Sequence, residues 1–287
     1  MWTEISKWGQ GSLKEAKKWG KITTAFDPNK KYYATVPSPS EWTWDKNAAY
    51  FHYTQNETIG GIEYLDFPFE MVSPHMPVVC DMSSDIGCVN QDFTKYGMVY
   101  AGCQKNLGPA GVTVGIIRKD LINKKNEHPG TPSFLSYSTN QAAGGQLFNT
   151  PSTFSIFVLG LNLKHMASKG IWHYDEFAQK KAKIIYDVID SSSGFYKNLV
   201  EPKYRSRTNI TFVTGYGDAK VDAKFVAEGR KRGLIELKGH RSVGGIRASS
   251  YNGMPIEGIE KLASFMKEFM DTNARRAKLW DLKKNIS

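Results

Sequence analysis

The sequence predicts an α/β protein: a mainly parallel sheet in a larger N-terminal part, followed by a smaller C-terminal α/β domain. Three observations predict it. Short runs rich in β-branched and aromatic residues occur at 31–36, 48–54, 97–101 and 112–117, with a further one ending at Cys80, and turn-forming residues separate them. From His173 the composition changes to amphipathic helical patterns alternating with few short strands. A chain of 287 residues can bury a sizeable core and divide in two, and the boundary is expected near Gly170, giving parts 1–170 and 171–287.

Taken in order, Trp2 to Trp8 precede an amphipathic helix, LKEAKKWG, closed by Gly20. Lys31 to Val36 reads as a strand followed by the loop PSPSEW, and Ala48 to Thr54 as the next strand, ending at Asn56, Glu57 and Thr58. The apolar run ending at Cys80 delivers Asp81 into MSSD. Gly97–Ala101 and Val112–Ile117 then flank the loop that carries Lys105. A polar passage from Lys119 to Asn140 leads to Asn149, Thr150 and Pro151. Proline suits a first helical turn, so Thr150 is expected as N-cap of a mostly buried helix over Phe154–Leu163. Beyond it, helices are expected at Asp175–Ile189, Asp218–Arg232 and Ile256–Met270, with strands at Asn209–Val213, Ile235–Leu237 and Gly245–Ser249.

The chemistry concentrates at two places. A lone loop lysine is ordinarily solvated. Lys105, however, lies a few residues from two apolar runs, and burial there would disfavour its ammonium form and free an amine to attack a carbonyl. A lone aspartate such as Asp81 is ordinarily a cap or turn former. In an open parallel sheet, though, ligands collect at the carboxyl ends of strands, where Asp81 and Lys105 would both lie. A strand-end carboxylate and a reactive lysine together meet the needs of pyridoxal phosphate. The second place is GHRSVGGIRASSYN, where Arg241 and Arg247 can converge on one pocket if the chain reverses at Gly244 and Gly245.

Composition narrows the alternatives. Apolar content of 40% with 13% aromatics excludes disorder and fibres. The net charge of +10 invites a nucleic-acid reading, but no groove-reading motif accompanies it, and a basic surface that attracts small anions is the simpler account. No window is apolar for a membrane span, and the opening residues lack a secretory layout, so a cytoplasmic location is expected. Cys80, Cys88 and Cys103 have neither disulfide nor zinc spacing, and no metal is expected.

The segments VVCDMSSD, VYAGCQKNLGPAGVTVGIIR, FNTPSTFSIFVLGL and GHRSVGGIRASSYN resemble, in order and spacing, those of the phosphoserine aminotransferases. These are class-V, pyridoxal phosphate-dependent enzymes of the aspartate aminotransferase fold (fold type I), and the resemblance runs from about Trp8 to about Met270. It implies that Lys105 is the catalytic lysine joined to pyridoxal 5'-phosphate, that Asp81 meets the pyridine nitrogen, and that Trp8 stacks on the ring. Thr58 is implied at the ring hydroxyl side and Gln104 at the phosphate. Asn149 and Thr150 are implied to bind the cofactor phosphate of a neighbouring subunit, hence a homodimer with shared active sites. Arg247 would take the substrate α-carboxylate, and His240 and Arg241 the distal phosphate or carboxylate, partly across the dimer.

The implied reaction interconverts 3-phosphohydroxypyruvate plus glutamate with O-phosphoserine plus 2-oxoglutarate, in serine biosynthesis. 4-Phosphohydroxythreonine is a further possible substrate. The family has a further N-terminal region ahead of the point matching Trp8, which supplies a phosphate-cradling turn and strands of the sheet. Without it an exposed sheet edge is expected, and a relative that keeps the cofactor motifs without turnover is the alternative.

Overall fold

A computed structural model describes residues 1–3, 7–26, 34–142 and 147–284. Its elements run α1 (Lys7–Ala16), β1 (Phe51–Thr54), β2 (Asn56–Glu57), β3 (Ile62–Glu63), β4 (Val78–Asp81), β5 (Met98–Gly102), β6 (Thr113–Ile117), α2 (Tyr137–Ala142), α3 (Thr153–Lys169), α4 (Ile171–Asp190), β7 (Asn209–Phe212), α5 (Ala219–Lys231), β8 (Ile246–Ser249) and α6 (Ile256–Lys284).

Strand alternation builds the main sheet, whose order is β1-β4-β5-β6. β1 and β4, and β4 and β5, are parallel, while β6 returns antiparallel to β5. Phe51, Tyr53, Val78, Cys80, Val99 and Ala101 turn to one face and enter the first core, among Trp42, Phe67 and Met82. The opposite face carries His52, Thr54, Asp81 and Tyr100, because Thr54 pairs with Asp81 and Asp81 with Tyr100 in register. Phe51 and Tyr53 are fully buried, and each such side chain contributes about 2 to 3 kcal/mol. A second core gathers α4, α5, α6, β7 and β8 around Ile185, Phe212, Phe225, Phe265 and Met266.

Polar contacts join the two cores. Asn56 Nδ2 donates to Ser84 Oγ at 2.8 Å, Thr208 Oγ1 at 3.0 Å and Asn209 Oδ1 at 2.9 Å. Arg207 pairs with Glu63 at 3.1 Å and with Asp175 at 2.5 Å. These contacts fix the second core against the turn that carries Thr58.

Several expectations are corrected. The first helix begins at Lys7 and ends at Ala16, so Trp8 lies inside its first turn rather than ahead of it, and Gly20 is not its cap. The strand expected at 31–36 falls partly outside the described residues, and residues 34–36 form no strand. Ile235–Leu237 is not a strand either, because the backbone turns over at Glu236 with φ of 58°. The N-cap of α3 is Ser152, with Thr150 and Pro151 ahead of the helix. Nor is α3 mostly buried: Phe154 and Phe157 are 74% and 63% exposed, and only its Ser155, Leu159 and Met166 side is buried. The outer edge of β1 is not bare, since Thr3 N donates to His52 O and His52 N to Met1 O. Among the described residues no helix is long and apolar enough to cross a membrane.

Candidate active site

The site forms where β1, β4 and β5 end together. Beyond β5, the loop that carries Lys105 is pinned by Cys103 N to Val112 O at 3.0 Å and Gly108 N to Cys103 O at 2.7 Å. Cys103, Asn106 and Leu107 point inward, which leaves Gln104 exposed and Lys105 half-buried. Lys105 Nζ donates to Thr58 Oγ1 at 2.6 Å. Burial lowers the pKa of the amine, while Asp81, Glu57 and Asp85 pull it back up and Arg247 adds to the lowering. Burial and the nearby carboxylates thus act on the amine in opposite directions, with burial the larger.

Asp81 is held rather than loose. Its Oδ1 accepts from Ser83 N at 2.9 Å and Ser83 Oγ at 2.6 Å, and Ser83 Oγ accepts from Gly102 N at 3.1 Å. The aspartate is thereby tied to the end of the neighbouring strand. Next to it on the same face, Tyr100 has its phenol pKa raised by burial first and by Asp81 second. Tyr100 OH lies 2.9 Å from His52 Nε2, and Trp2 stacks on that imidazole with ring centroids 4.7 Å apart. Burial, followed by the terminal ammonium, brings His52 down to about 3.

Glu57 is 1% exposed. Its Oε1 accepts from Ile59 N at 3.0 Å, and among the described residues its Oε2 makes no hydrogen bond of ordinary geometry. Burial pushes this carboxyl up to about 7, while the Ile59 and Trp8 amides and Lys105 favour its charged form. Sequence reasoning passed over Glu57, Ser83, Tyr100 and His52. The available signals were that Glu57 adjoins Thr58, and that strand alternation puts Tyr100 on the Asp81 face.

The remaining residues divide. Trp8 is 56% exposed, with its main chain beside Glu57. Arg247, on β8, pairs across to Thr211, and its Nε is buried with no hydrogen-bond partner among the described residues. Tyr251 connects the two sides: Asn209 Nδ2 donates to its OH at 2.8 Å, and both Arg247 and Thr58 act on its phenol. A cavity of about 610 Å³ opens at Lys105 between the end of α3 and the start of α4, with His165, Lys169, His173 and Asn252 in its wall.

His240 and Arg241 stand apart from this group. The chain does reverse at Gly244 and Gly245, with φ of 72° and 68°. Yet the cavity of about 510 Å³ that His240 and Arg241 line faces α5 and does not include Arg247, so within one chain the arginines do not converge. Asn149 and Thr150 are exposed, and Asn149 Nδ2 donates to Thr150 O at 3.0 Å. Cys80, Cys88 and Cys103 are buried free thiols, and no described group of His, Cys, Asp and Glu could hold a metal ion.

The donor set suits pyridoxal phosphate. Lys105 supplies an amine whose ammonium form burial disfavours, Asp81 an anchored carboxylate and Thr58 a hydroxyl, all at one sheet end.

Comparison with known proteins agrees. Residues 7–262 match the family model described as aminotransferase class-V. The chain is 43% identical over 264 residues to the phosphoserine aminotransferase of Chromobacterium violaceum, covering 91% of this chain and 71% of that one. The phosphoserine aminotransferase of Lysinibacillus sphaericus is 44% identical over 263 residues, covering 91% and 70%. The structure of phosphoserine aminotransferase from Bacillus circulans subsp. alkalophilus superposes with a TM-score of 0.88 at 39% identity, over 95% of this chain and 73% of that one. The pyridoxal phosphate-bound enzyme of Trichomonas vaginalis does so with a TM-score of 0.81 at 36% identity, over 91% and 73%.

Proposed function

This chain belongs to the class-V aminotransferase family, and on that premise we propose that it is a phosphoserine transaminase. It moves an amino group between glutamate and 3-phosphohydroxypyruvate, giving 2-oxoglutarate and O-phosphoserine. The observation that carries the reading is Lys105 donating to Thr58 beside the anchored Asp81, at the ends of adjacent strands.

Bound pyridoxal phosphate supplies an electron sink for the pair left behind when a substrate's α-proton departs. Lys105 would be its point of attachment, Asp81 the partner of its pyridine nitrogen, Thr58 that of its hydroxyl side, Gln104 that of its phosphate, and Trp8 its stacking plane. Lys105 Nζ, neutral when released, accepts the proton from the substrate α-carbon and returns it later. The partial desolvation that disfavours its ammonium form suits it to that task. Arg247 offers a bidentate fork to the α-carboxylate that the amino-acid substrates share.

The assignments of His240, Arg241, Asn149 and Thr150 go together with a homodimer. Within one chain these residues lie away from Lys105, and a second copy would bring its own set to complete each site. The bare apolar side of α3 supports such a pairing, because monomers rarely leave a patch of this kind uncovered. The second core draws only on residues from Ala182 onward, which supports two parts, although Tyr174, Val200 and Tyr204 from beyond Gly170 belong to the first core. A cytoplasmic location fits the buried free thiols. The inert alternative gains no support, since no described residue displaces Lys105, Thr58 or Asp81 from the shared strand end.

The test is a coupled assay for 2-oxoglutarate with glutamate, 3-phosphohydroxypyruvate and added pyridoxal phosphate. Formation of phosphoserine and 2-oxoglutarate in equal amounts is the expected result. Binding of pyridoxal phosphate without turnover would restore the inert reading.

A further inference from the structure

Glu57 sits where three parts of the site meet. Its own turn carries Thr58, which receives Lys105 at 2.6 Å. The β5–β6 loop brings the Lys105 ammonium toward it, the end of β4 brings the like charge of Asp81, and the first turn of α1 brings the Trp8 amide. The carboxyl is 1% exposed; its Oε1 accepts from Ile59 N at 3.0 Å, the Trp8 amide also acts on it, and its Oε2 makes no hydrogen bond of ordinary geometry among the described residues.

A turn former does not account for this arrangement. Accepting the amide of residue 59 needs one oxygen, and a glutamine would provide it without burying a charge. An ionised carboxylate in such a place is costly unless a cation faces it. The cation that acts on it is Lys105, held at the adjacent Thr58 rather than in an ion pair with Glu57. The same lysine is itself partly desolvated and draws support from Glu57, Asp81 and Asp85, so each of the pair is stabilised in its charged form by the other.

We propose that Glu57 is the electrostatic partner of Lys105: its buried carboxylate favours the lysine as an ammonium ion against Thr58, and it takes up a solvent proton when the lysine becomes neutral. The charge of the buried site then changes little as Lys105 changes state, and the two groups titrate as a pair. Glu57 acts through Lys105 and so is a positioning residue. The inference rests on the reading of Lys105 as the working amine, but not on any cofactor being bound.

The experiment uses the full chain without cofactor. Lys105 is acetylated with acetic anhydride across a pH series, and its peptide is quantified by mass spectrometry. Glu57→Gln should move the midpoint of Lys105 reactivity to lower pH, so that at a fixed pH below the midpoint acetylation runs about threefold to tenfold faster. Glu57→Asp should restore most of the wild-type profile, which a purely structural role would not require.

Linkage also gives a reciprocal readout. Lys105→Met should strengthen the infrared band of a protonated carboxyl at pH 7, and adding Glu57→Gln should remove the gain. An unchanged Lys105 profile in a folded Glu57→Gln protein would overturn the proposal, as would an unchanged carboxyl band in Lys105→Met. If Glu57→Gln does not fold, the band in Lys105→Met decides alone. Trapping of pyridoxal phosphate on a different lysine would refute the reading of Lys105 as the working amine, whereas the acetylation profile would still report on the pairing.

Discussion

The strand-end cluster around Lys105 and the basic turn around Arg241 are each built from a few polar residues spaced by glycines, but the chain treats them differently. In the cluster, Asp81 takes two hydrogen bonds from Ser83, Lys105 is bonded to Thr58, and Glu57 is almost wholly buried. In the turn, Arg241 is exposed and His240 is bonded only locally, with Nδ1 2.7 Å from Ser242 Oγ. One chain thus preorganises the side that would hold a cofactor, where a small displacement is costly. The side that would read the distal end of a substrate is left open, and its completion is proposed to come from a second copy.

If that contrast holds, variants in the cluster should cost far more than variants in the turn. Lys105→Ala should have the largest effect, lowering turnover by about a thousandfold or more through loss of the acid–base group. It should also abolish the borohydride-trapped pyridoxal phosphate adduct, with far-UV circular dichroism unchanged. An adduct that survives on another lysine would remove Lys105 from the site.

Asp81→Ala ranks next. It should lower kcat by about a hundredfold, the order seen when one preorganised electrostatic group is lost. Cofactor occupancy, read by absorbance titration, should fall much less. Equal losses in kcat and occupancy would make Asp81 a structural residue.

Arg247 and Arg241 test the same contrast from the side of the basic turn. Loss of one charge-assisted contact is worth about 1.5 to 3 kcal/mol, so Arg247→Ala should lower kcat/KM by one to two decades with glutamate and phosphoserine alike. Lysine at position 247 should not rescue it, because a point charge lacks the fork. Arg241→Ala should cost only about fivefold, the scale of an exposed pair, and only with substrates that carry a distal anion. Single-turnover rates with both substrates test this, and equal losses for an amino acid with an uncharged side chain would remove Arg241 from the distal site.

What was legible in the sequence follows the same line. The strands of the main sheet could be read because β-branched and aromatic runs stop at glycines and at Asp81, and Lys105 stood out as a cation between two such runs. Glu57 could not be read in this way, because its burial comes partly from α1, whose first turn lies about fifty positions earlier. The start of α1 was missed because Gly9 and Gly11 weaken helix propensity, which packing of Gly9 and Leu13 overrides. α3 misled in the opposite sense: its apolar composition implied burial, but within one chain only one of its sides meets the core. At Ile235–Leu237 a short apolar run looked like a strand, while the positive φ of Glu236 makes it a turn.

The smallest effect concerns the layer behind the cluster and lies in how stability changes with pH. His52 is buried against Tyr100 and Trp2, and its folded pKa of about 3 lies below the ordinary 6.5. The unfolded chain therefore binds a proton near pH 6.5 that the folded chain refuses, so the stability this imidazole contributes is present above that pH and is lost as pH falls toward 3. Between pH 7 and pH 5.5 the loss should be about 1 kcal/mol, read as a lower urea midpoint at unchanged slope. Glu57, with a raised folded value of about 7, works with the opposite sign: its contribution is full below the unfolded value near 4.5 and fades as pH rises toward 7. Buried Glu63, also raised to about 7, and Asp85, raised by burial, act with the sign of Glu57. The raw pH profile therefore mixes all of these, and the comparison that isolates His52 is with His52→Gln. That variant should be weaker at pH 7, where it loses packing and the Tyr100 contact, yet it should lose about 1 kcal/mol less than wild type on going to pH 5.5. The basic turn has no buried titrating group, so Arg241→Ala should show the wild-type pH dependence of stability. If His52→Gln shows it too, the layer behind Asp81 does not hold a neutral imidazole, and the strand-end cluster is less rigidly backed than its hydrogen bonds imply.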